Sequence, residues 1–262
     1  MCSRQFQESP LESYYFFDDD KNYISDTDST NNYISDHDST TMETLRPNET
    51  IGSPLITKSK NTLRLFFQNV NSIDLDKSGG DFHTICNDIQ LTETDILMLA
   101  EPNICHRHGN VQDILHRTAA RELQHSLILL SSSKLKYRSY KKPGGTLMVT
   151  HGKTRGRVYQ KGTDDYGRWS WLTLKGKTNT VTIITLYQVG DSTDYLTNTK
   201  KGCKTVRLQL YAMGLKDNRK GTPRDVFLQD LTSFVTQKQE LSHKIIICGD
   251  FNETFKPGFQ FS

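Results

Sequence analysis

The chain has 262 residues, of which 24% are charged and 34% hydrophobic, with a formal net charge of +3. That length accommodates one large domain plus a tail. No apolar run approaches the ~20 residues of a membrane-spanning helix, and the start, Met-Cys-Ser-Arg-Gln-Phe, lacks the apolar stretch of a signal peptide, so neither a helical membrane protein nor a secreted one is expected.

The net charge hides an asymmetry. Residues 1–50 hold eleven Asp/Glu and three Lys/Arg, a net −8, whereas residues 51–262 hold nineteen and thirty, a net +11. Within the acidic part, Asn22-Tyr23-Ile24-Ser25-Asp26-Thr27-Asp28-Ser29-Thr30 recurs as Asn32-Tyr33-Ile34-Ser35-Asp36-His37-Asp38-Ser39-Thr40. So polar a unit has too little apolar surface to offset the entropy of ordering its backbone. Residues 1–58 are therefore expected to be a disordered acidic segment, with the folded domain spanning 59–262. A basic folded part fits a polyanionic partner, because Lys and Arg displace counterions from phosphate; an ordinary solvated surface is the plainer explanation. Cys2, Cys86, Cys105, Cys203 and Cys248 are odd in number and include no Cys-x-x-Cys pair, which points to a reducing intracellular compartment.

Along the basic part, Leu63 to Val70 reads as a short buried strand. Gly79-Gly80 interrupts the chain, and Phe82, Ile85 and Ile89 then recur at near-helical spacing. Asp95 to Ala100 is a second buried strand, closed by Glu101 and Pro102. A helix is predicted over Val111 to Leu123, and strands over Ser126 to Leu130 and over Gly144 to Thr150. Trp169 to Leu174 and Thr180 to Tyr187, separated by Lys175-Gly176-Lys177-Thr178-Asn179, predict a hairpin. Val206 to Tyr211 and Pro223 to Gln239 are patterned as helices, and Lys244 to Cys248 is the most apolar strand of the chain. Strands interleaved with helices give an α/β or α+β class with several strands buried on both faces.

Several strands end on polar side chains: Asn69, Glu101, Tyr187 with Gln188, and Asp250 with Asn252. Any one of these is an ordinary cap or turn former. As a set they place groups at one kind of location, the end of a packed strand, where sites gather on a rigid scaffold. A carboxylate directly after an apolar run needs a partner, and a hard cation is a good one.

These motifs also carry a family resemblance. Gln68-Asn69-Val70-Asn71, Asp95 to Glu101, Gly144-Gly145-Thr146-Leu147-Met148-Val149, Gly167-Arg168-Trp169 with Thr185-Leu186-Tyr187, and Gly249-Asp250-Phe251-Asn252 occur in the order of the endonuclease/exonuclease/phosphatase superfamily. Over about residues 62–254 the sequence most resembles the apurinic-type endonuclease domain of LINE-like (non-LTR) retrotransposons. The resemblance implies a four-layer α/β-sandwich of the DNase I-like type and a Mg²⁺ cofactor, for which Mn²⁺ can substitute. It implies Glu101 and Asn69 at the metal, Asp250 orienting or deprotonating the attacking water, Asn252 donating to the scissile phosphate, and Tyr187 and Arg168 holding phosphate oxygens. Asn71, Arg107, Lys136 and Arg138 would face nucleic acid. DNA is the implied partner, in the nucleus, alongside a reverse transcriptase domain encoded downstream. A phosphoinositide or other small phosphoester on the same fold, and an inactive nucleic-acid-binding remnant, are the alternatives.

The sequence departs from that pattern in one respect. The family ends on a Ser-Asp-His motif whose His donates to the phosphate, and no histidine follows His243 here. The resemblance therefore implies a domain incomplete at its C-terminus and impaired in catalysis. Cys105-His106-Arg107-His108 is too closely spaced for a tetrahedral zinc site. Lys134 to Lys142 interleaves basic and aromatic residues, which suits either phosphate contact with base stacking or a solvated edge strand. Trp169 and Trp171, two apart on a strand, share a face and read as core.

Overall fold

Along one strand, Ile96 and Met98 project to one side and Leu97 and Leu99 to the other, and all four are buried. A strand alternates its side chains between faces, so burial of both sets requires a cover on each. The computed structural model supplies both covers. It describes residues 57–76, 79–105, 109–135, 141–190, 204–217 and 219–253. The chain divides into two units, Met1–Ser53 and Pro54–Ser262, and every described residue belongs to the second. The acidic repeat, Arg107, Lys136, Arg138 and the 191–203 insertion lie outside the described residues.

The elements run β1 (Leu65–Asn69), α1 (Asp81–Leu91), β2 (Ile96–Ala100), α2 (Val111–Glu122), β3 (Leu127–Ser131), β4 (Thr146–Thr150), α3 (Gly152–Arg155), β5 (Val158–Thr163), β6 (Trp169–Lys175), β7 (Thr180–Tyr187), α4 (Lys204–Asp217), α5 (Pro223–Glu240) and β8 (Lys244–Asp250). They build two mixed four-stranded sheets, ordered β1-β2-β4-β3 and β5-β6-β7-β8. β1 runs parallel to β2, and β8 parallel to β7; the other pairings are antiparallel.

Three apolar seams hold the layers. Leu97, Leu99, Ile128, Leu130, Leu147 and Val149 pack under Phe82, Cys86 and Ile89 of α1 and Val111, Leu115 and Ala119 of α2. The opposite faces of the same strands give Ile96, Met98, Leu129 and Met148, which meet Leu172, Leu174 and Ile183 of the second sheet. Trp169, Ile184 and Leu186 then pack against Phe227 and Leu231 of α5. The order is helix, sheet, sheet, helix, the four-layer α/β sandwich expected from the sequence.

β1, expected to be buried, is not, and neither is β8, the most apolar strand. β1 and β8 each close one edge of a sheet, so each has a neighbour on one side only among the described residues. Phe66 of β1 is 43% exposed, and Ile246 and Ile247 of β8 are 37% and 36% exposed. The apolar run Lys244 to Cys248 is compatible with either placement, because hydrophobicity does not report a strand's position within its sheet. The sequence reading also missed α3 and β5. β5 carries Gln160 and Lys161 and alternates half-buried with exposed residues. It passes under Trp171 through Gly162, where an added Cβ would lie 2.7 Å from the indole nitrogen.

Edge and interior isoleucines should therefore differ in worth. Ile184→Ala, at a fully buried position, is expected to destabilise by roughly 2–5 kcal/mol, the range for buried aliphatic truncation. Ile247→Ala should destabilise by under about half as much, since much of its side chain already meets water. Paired urea titrations check the ranking.

Candidate active site

β1, β2, β7 and β8 all end on the same side of the sandwich, because β1 and β2 are parallel, β7 and β8 are parallel, and β1 contacts β8 across the sheets. At that end Asn69 closes β1, Glu101 follows β2, Tyr187 closes β7 and Asp250 closes β8. The Asn69 side-chain nitrogen donates to Glu101 Oε1 at 3.2 Å and to Asp250 Oδ2 at 2.7 Å. Its oxygen accepts from the Asn71 backbone N–H at 3.0 Å. That third contact fixes which end of the amide faces which way.

One amide thus spans two carboxylates from different sheets. The nitrogen, a donor with no lone pair for an ion, is the end that faces Glu101 and Asp250, and the oxygen, the atom that could meet a metal, is turned to the Asn71 N–H. In this arrangement Asn69 aligns the two acids.

The backbone here is unusual. Asn71, Ser72, Glu101, Asn103 and Asn252 all have positive φ, at 44°, 113°, 51°, 53° and 46°. Such values are uncommon in residues other than glycine. Held in place by surrounding structure, they are a mark of functional sites. Glu101 is held by hydrogen bonds in both directions: its N–H donates to Gly145 O at 3.1 Å, and its carbonyl accepts from Ser72 N–H at 2.8 Å. Gly249 serves a different need. A Cβ there would lie 2.4 Å from Leu186 Cγ and Cδ1 and 2.6 Å from Leu186 O, so only glycine lets β8 lie this close to β7 just before Asp250.

Asn252 is tied at both ends. Its N–H donates to Asp250 Oδ1 at 2.9 Å, and its side-chain nitrogen donates to the Gln188 carbonyl at 2.6 Å. A side-chain amide has two N–H groups, so a substrate can still use the other. Tyr187 is buried, its ring packed with Ala100, Val189 and Val206. Asn71 is exposed beside Asn69.

Arg168 does not join this cluster through its side chain. Its guanidinium is 3% exposed and donates to Asp164 at 2.9 and 2.8 Å and to Asp230 at 2.8 Å. It lies 4.6 Å from the ring centres of both Tyr166 and Trp169. Arg219 holds Asp230 from the other side at 2.6 and 2.7 Å. The expected phosphate contact from Arg168 is replaced by a buried ion-pair network. What Arg168 gives the site is its backbone carbonyl, which accepts from Tyr187 N–H at 2.8 Å.

The basic stretch after β3 is likewise engaged where it is described. Lys134 pairs with Asp165, Lys141 with Asp74 at 2.5 Å, and Lys142 is fully buried with its ammonium on the carbonyls of Ser133 and Leu135. The sequence reading missed a further group at the site end. Arg224, on the first turn of α5, donates to Val189 O at 2.9 Å and pairs with Glu253, which also accepts from Gln188 Nε2 at 3.4 Å. Thr222-Pro223-Arg224-Asp225 carries a visible helix-start signal, with Thr222 and Asp225 forming a capping box. Nothing local tells that Arg224 reaches across to the strand ends.

Among the described residues, no three His, Cys, Asp or Glu side chains converge to cage an ion. Glu101 and Asp250 are the two carboxylates that could serve. Two are too few for a closed zinc or calcium site, but they suit Mg²⁺, which keeps several waters and takes one or two carboxylates together with substrate phosphate oxygens.

The fold is similar to that of an AP endonuclease from Archaeoglobus fulgidus, with 17% identity and a TM-score of 0.44 over 75% of this chain and 60% of that one. The human Nocturnin catalytic domain with bound sulfate anion gives 15% and 0.41, over 73% and 64%. The AP endonuclease LMAP from Leishmania major gives 14% and 0.40, over 72% and 54%. The chain spans less than two thirds of each of these structures. No protein-family model and no curated protein sequence matches the chain.

Two outcomes follow from the Arg168 network. Arg168→Ala strands buried Asp164 and half-buried Asp230, and should destabilise by about 3–5 kcal/mol in denaturant titration, the range for breaking one partner of a buried pair. Burial works to raise the Asp230 carboxyl pKa, but hydrogen bonds and charge from Arg219 and Arg168 outweigh it and hold it below the usual carboxylate range. A depressed folded pKa gives stability that is present above the unfolded value, about 3.9, and lost as pH falls through the folded one. Thermal melts from pH 7 to pH 3 should show Asp230→Asn less stable at pH 7 and less sensitive to acid than the parent.

Proposed function

We propose that this chain is a Mg²⁺-dependent phosphodiesterase that nicks DNA, of the kind carried by LINE-like retroelements. The observation that carries the reading is the Asn69 amide bridging Glu101 and Asp250 at one open end of the sandwich. Two aligned carboxylates repel a phosphodiester unless a cation stands between them and it, and the donor set suits Mg²⁺. When bound, Mg²⁺ would supply charge to offset the negative charge that accumulates on phosphoryl oxygens during in-line attack.

The rest of the chemistry falls to the chain's own groups. Asp250, steadied by Asn69 on one oxygen and by the Asn252 N–H on the other, is the group to orient a water and accept its proton. Asn252 offers a side-chain N–H to a phosphate oxygen from a position fixed by Gln188. Glu101 is the principal candidate to hold the metal, and the Tyr187 phenol is assigned to a phosphate oxygen. With Arg168 committed to Asp164 and Asp230, positive charge for the substrate has to come from elsewhere on the basic part, where residues 51–262 carry a net +11. That excess supports a polyanion as substrate. Lys136 and Arg138 remain assigned to nucleic acid on the basic and aromatic pattern of Lys134 to Lys142, and Arg107 on its place in the polar loop after Glu101. Nuclear action and a reverse transcriptase partner rest on the resemblance alone.

Supercoiled plasmid should be converted to open circles in the presence of Mg²⁺ and not with a chelator. Asp250→Ala should lower the rate by about 100-fold or more, the usual worth of a positioned general base. Equal nicking by parent and Asp250→Ala protein sinks the site assignment. Release of phosphate from an inositol phosphate, with plasmid untouched, moves the substrate to a small phosphoester.

A further inference from the structure

Arg224 sits where a cation is least favoured by its own helix. It follows Thr222 and Pro223 on the first turn of the 18-residue α5, and the positive end of the helix dipole opposes a positive side chain there. Its partners lie elsewhere. Nη1 donates to Val189 O at 2.9 Å and reaches Asn252 O at 3.4 Å, and Nη2 pairs with Glu253. Val189 follows β7, while Asn252 and Glu253 follow β8, so one guanidinium joins a helix start to two strand ends.

The same pieces are joined a second time. Gln188 Nε2 donates to Glu253 Oε1 at 3.4 Å, Gln188 N–H donates to Asp250 O at 2.8 Å, and the Gln188 carbonyl accepts from Asn252 Nδ2 at 2.6 Å. Gln188 is 1% exposed, and its Oε1 is buried without a donor among the described residues. The Arg224–Glu253 pair adds little to global stability, because Glu253 is half exposed and such pairs are weak. What the contacts do is restrain the turn that contains Asn252, whose φ of 46° has to be held.

We infer that Arg224, acting with Glu253 and Gln188, is a positioning residue that clamps the Asp250–Asn252 turn in its working geometry. This rests on the reading of Asp250 and Asn252 as the reacting groups, so the test has one readout that depends on activity and one that does not. Hydrogen exchange of the full chain reads the clamp directly, through the Gln188 and Asn252 amides bonded to Asp250. In Arg224→Ala these should exchange about tenfold faster or more, as in local opening, with Leu97 and Val149 in the other sheet unchanged. In Mg²⁺-dependent nicking, kcat should fall about tenfold with KM changed less than about twofold, the pattern of a lost transition-state geometry. Glu253→Gln, which keeps the shape and removes the charge, should do the same and replaces Arg224→Ala if that variant does not fold. Unchanged exchange at Gln188 and Asn252, or a rise spread evenly over both sheets, overturns the clamp. Exchange that rises locally in Arg224→Ala, while the parent cleaves no phosphodiester, supports the clamp and sinks the phosphodiesterase reading; cleavage by the parent with exchange unchanged in the variant does the reverse.

Discussion

One side-chain amide joins the two sheets at the end where β1, β2, β7 and β8 finish. Asn69 belongs to the first sheet and Asp250 to the second, 181 residues apart, and they meet at 2.7 Å. For this contact to form, β1 must lie parallel to β2 so that Asn69 and Glu101 finish together, and β8 must lie parallel to β7 so that Asp250 finishes beside Tyr187. The two sheets must also stack with these ends aligned. The apolar seam of Ile96, Met98 and Met148 against Leu172, Leu174 and Ile183 sets that stacking. The hydrophobic core therefore does more than stabilise the domain. It fixes the separation at which a donor can serve two acids at once.

Around that contact the backbone is held in conformations it would not adopt freely. The positive φ values at Asn71, Glu101 and Asn252 each require a neighbour that keeps the residue in place. Gly145 and Ser72 do so for Glu101, and Gln188, Asp250 and Arg224 for Asn252. The site is small, but its supports extend into both sheets and onto the first turn of α5.

Much of this was legible in the sequence, and the reasons are local. Apolar runs that end on Asn69, Glu101 and Asp250 announce both the strands and the polar groups that meet at their tips. The β6–β7 hairpin and the helices α1, α2 and α5 follow from spacing and turn residues. What was not legible depends on tertiary arrangement. Edge strands β1 and β8 have the composition of central ones. Gln160 and Lys161 disguise β5. Asn69 has an oxygen and a nitrogen, and only the Asn71 N–H decides which one faces the acids. Arg168 stands in the right motif for a phosphate contact, yet Asp164, four residues before it, and Asp230, on α5, take its guanidinium inward. Arg224 reads as an ordinary helix-start residue until the strand ends are brought beside it.

The lone glycine before Asp250 sets a limit on how this strand end can vary. With an imagined Cβ 2.4 Å from the Leu186 side chain and 2.6 Å from its backbone oxygen, residue 249 has no room to gain even one carbon, whatever side chain stands at 186. Leu186 in turn packs against α5 with Phe227 and Leu231. The bare backbone at 249 thus leaves Leu186 its full length, and with it the fit of a helix on the outer face of the sheet.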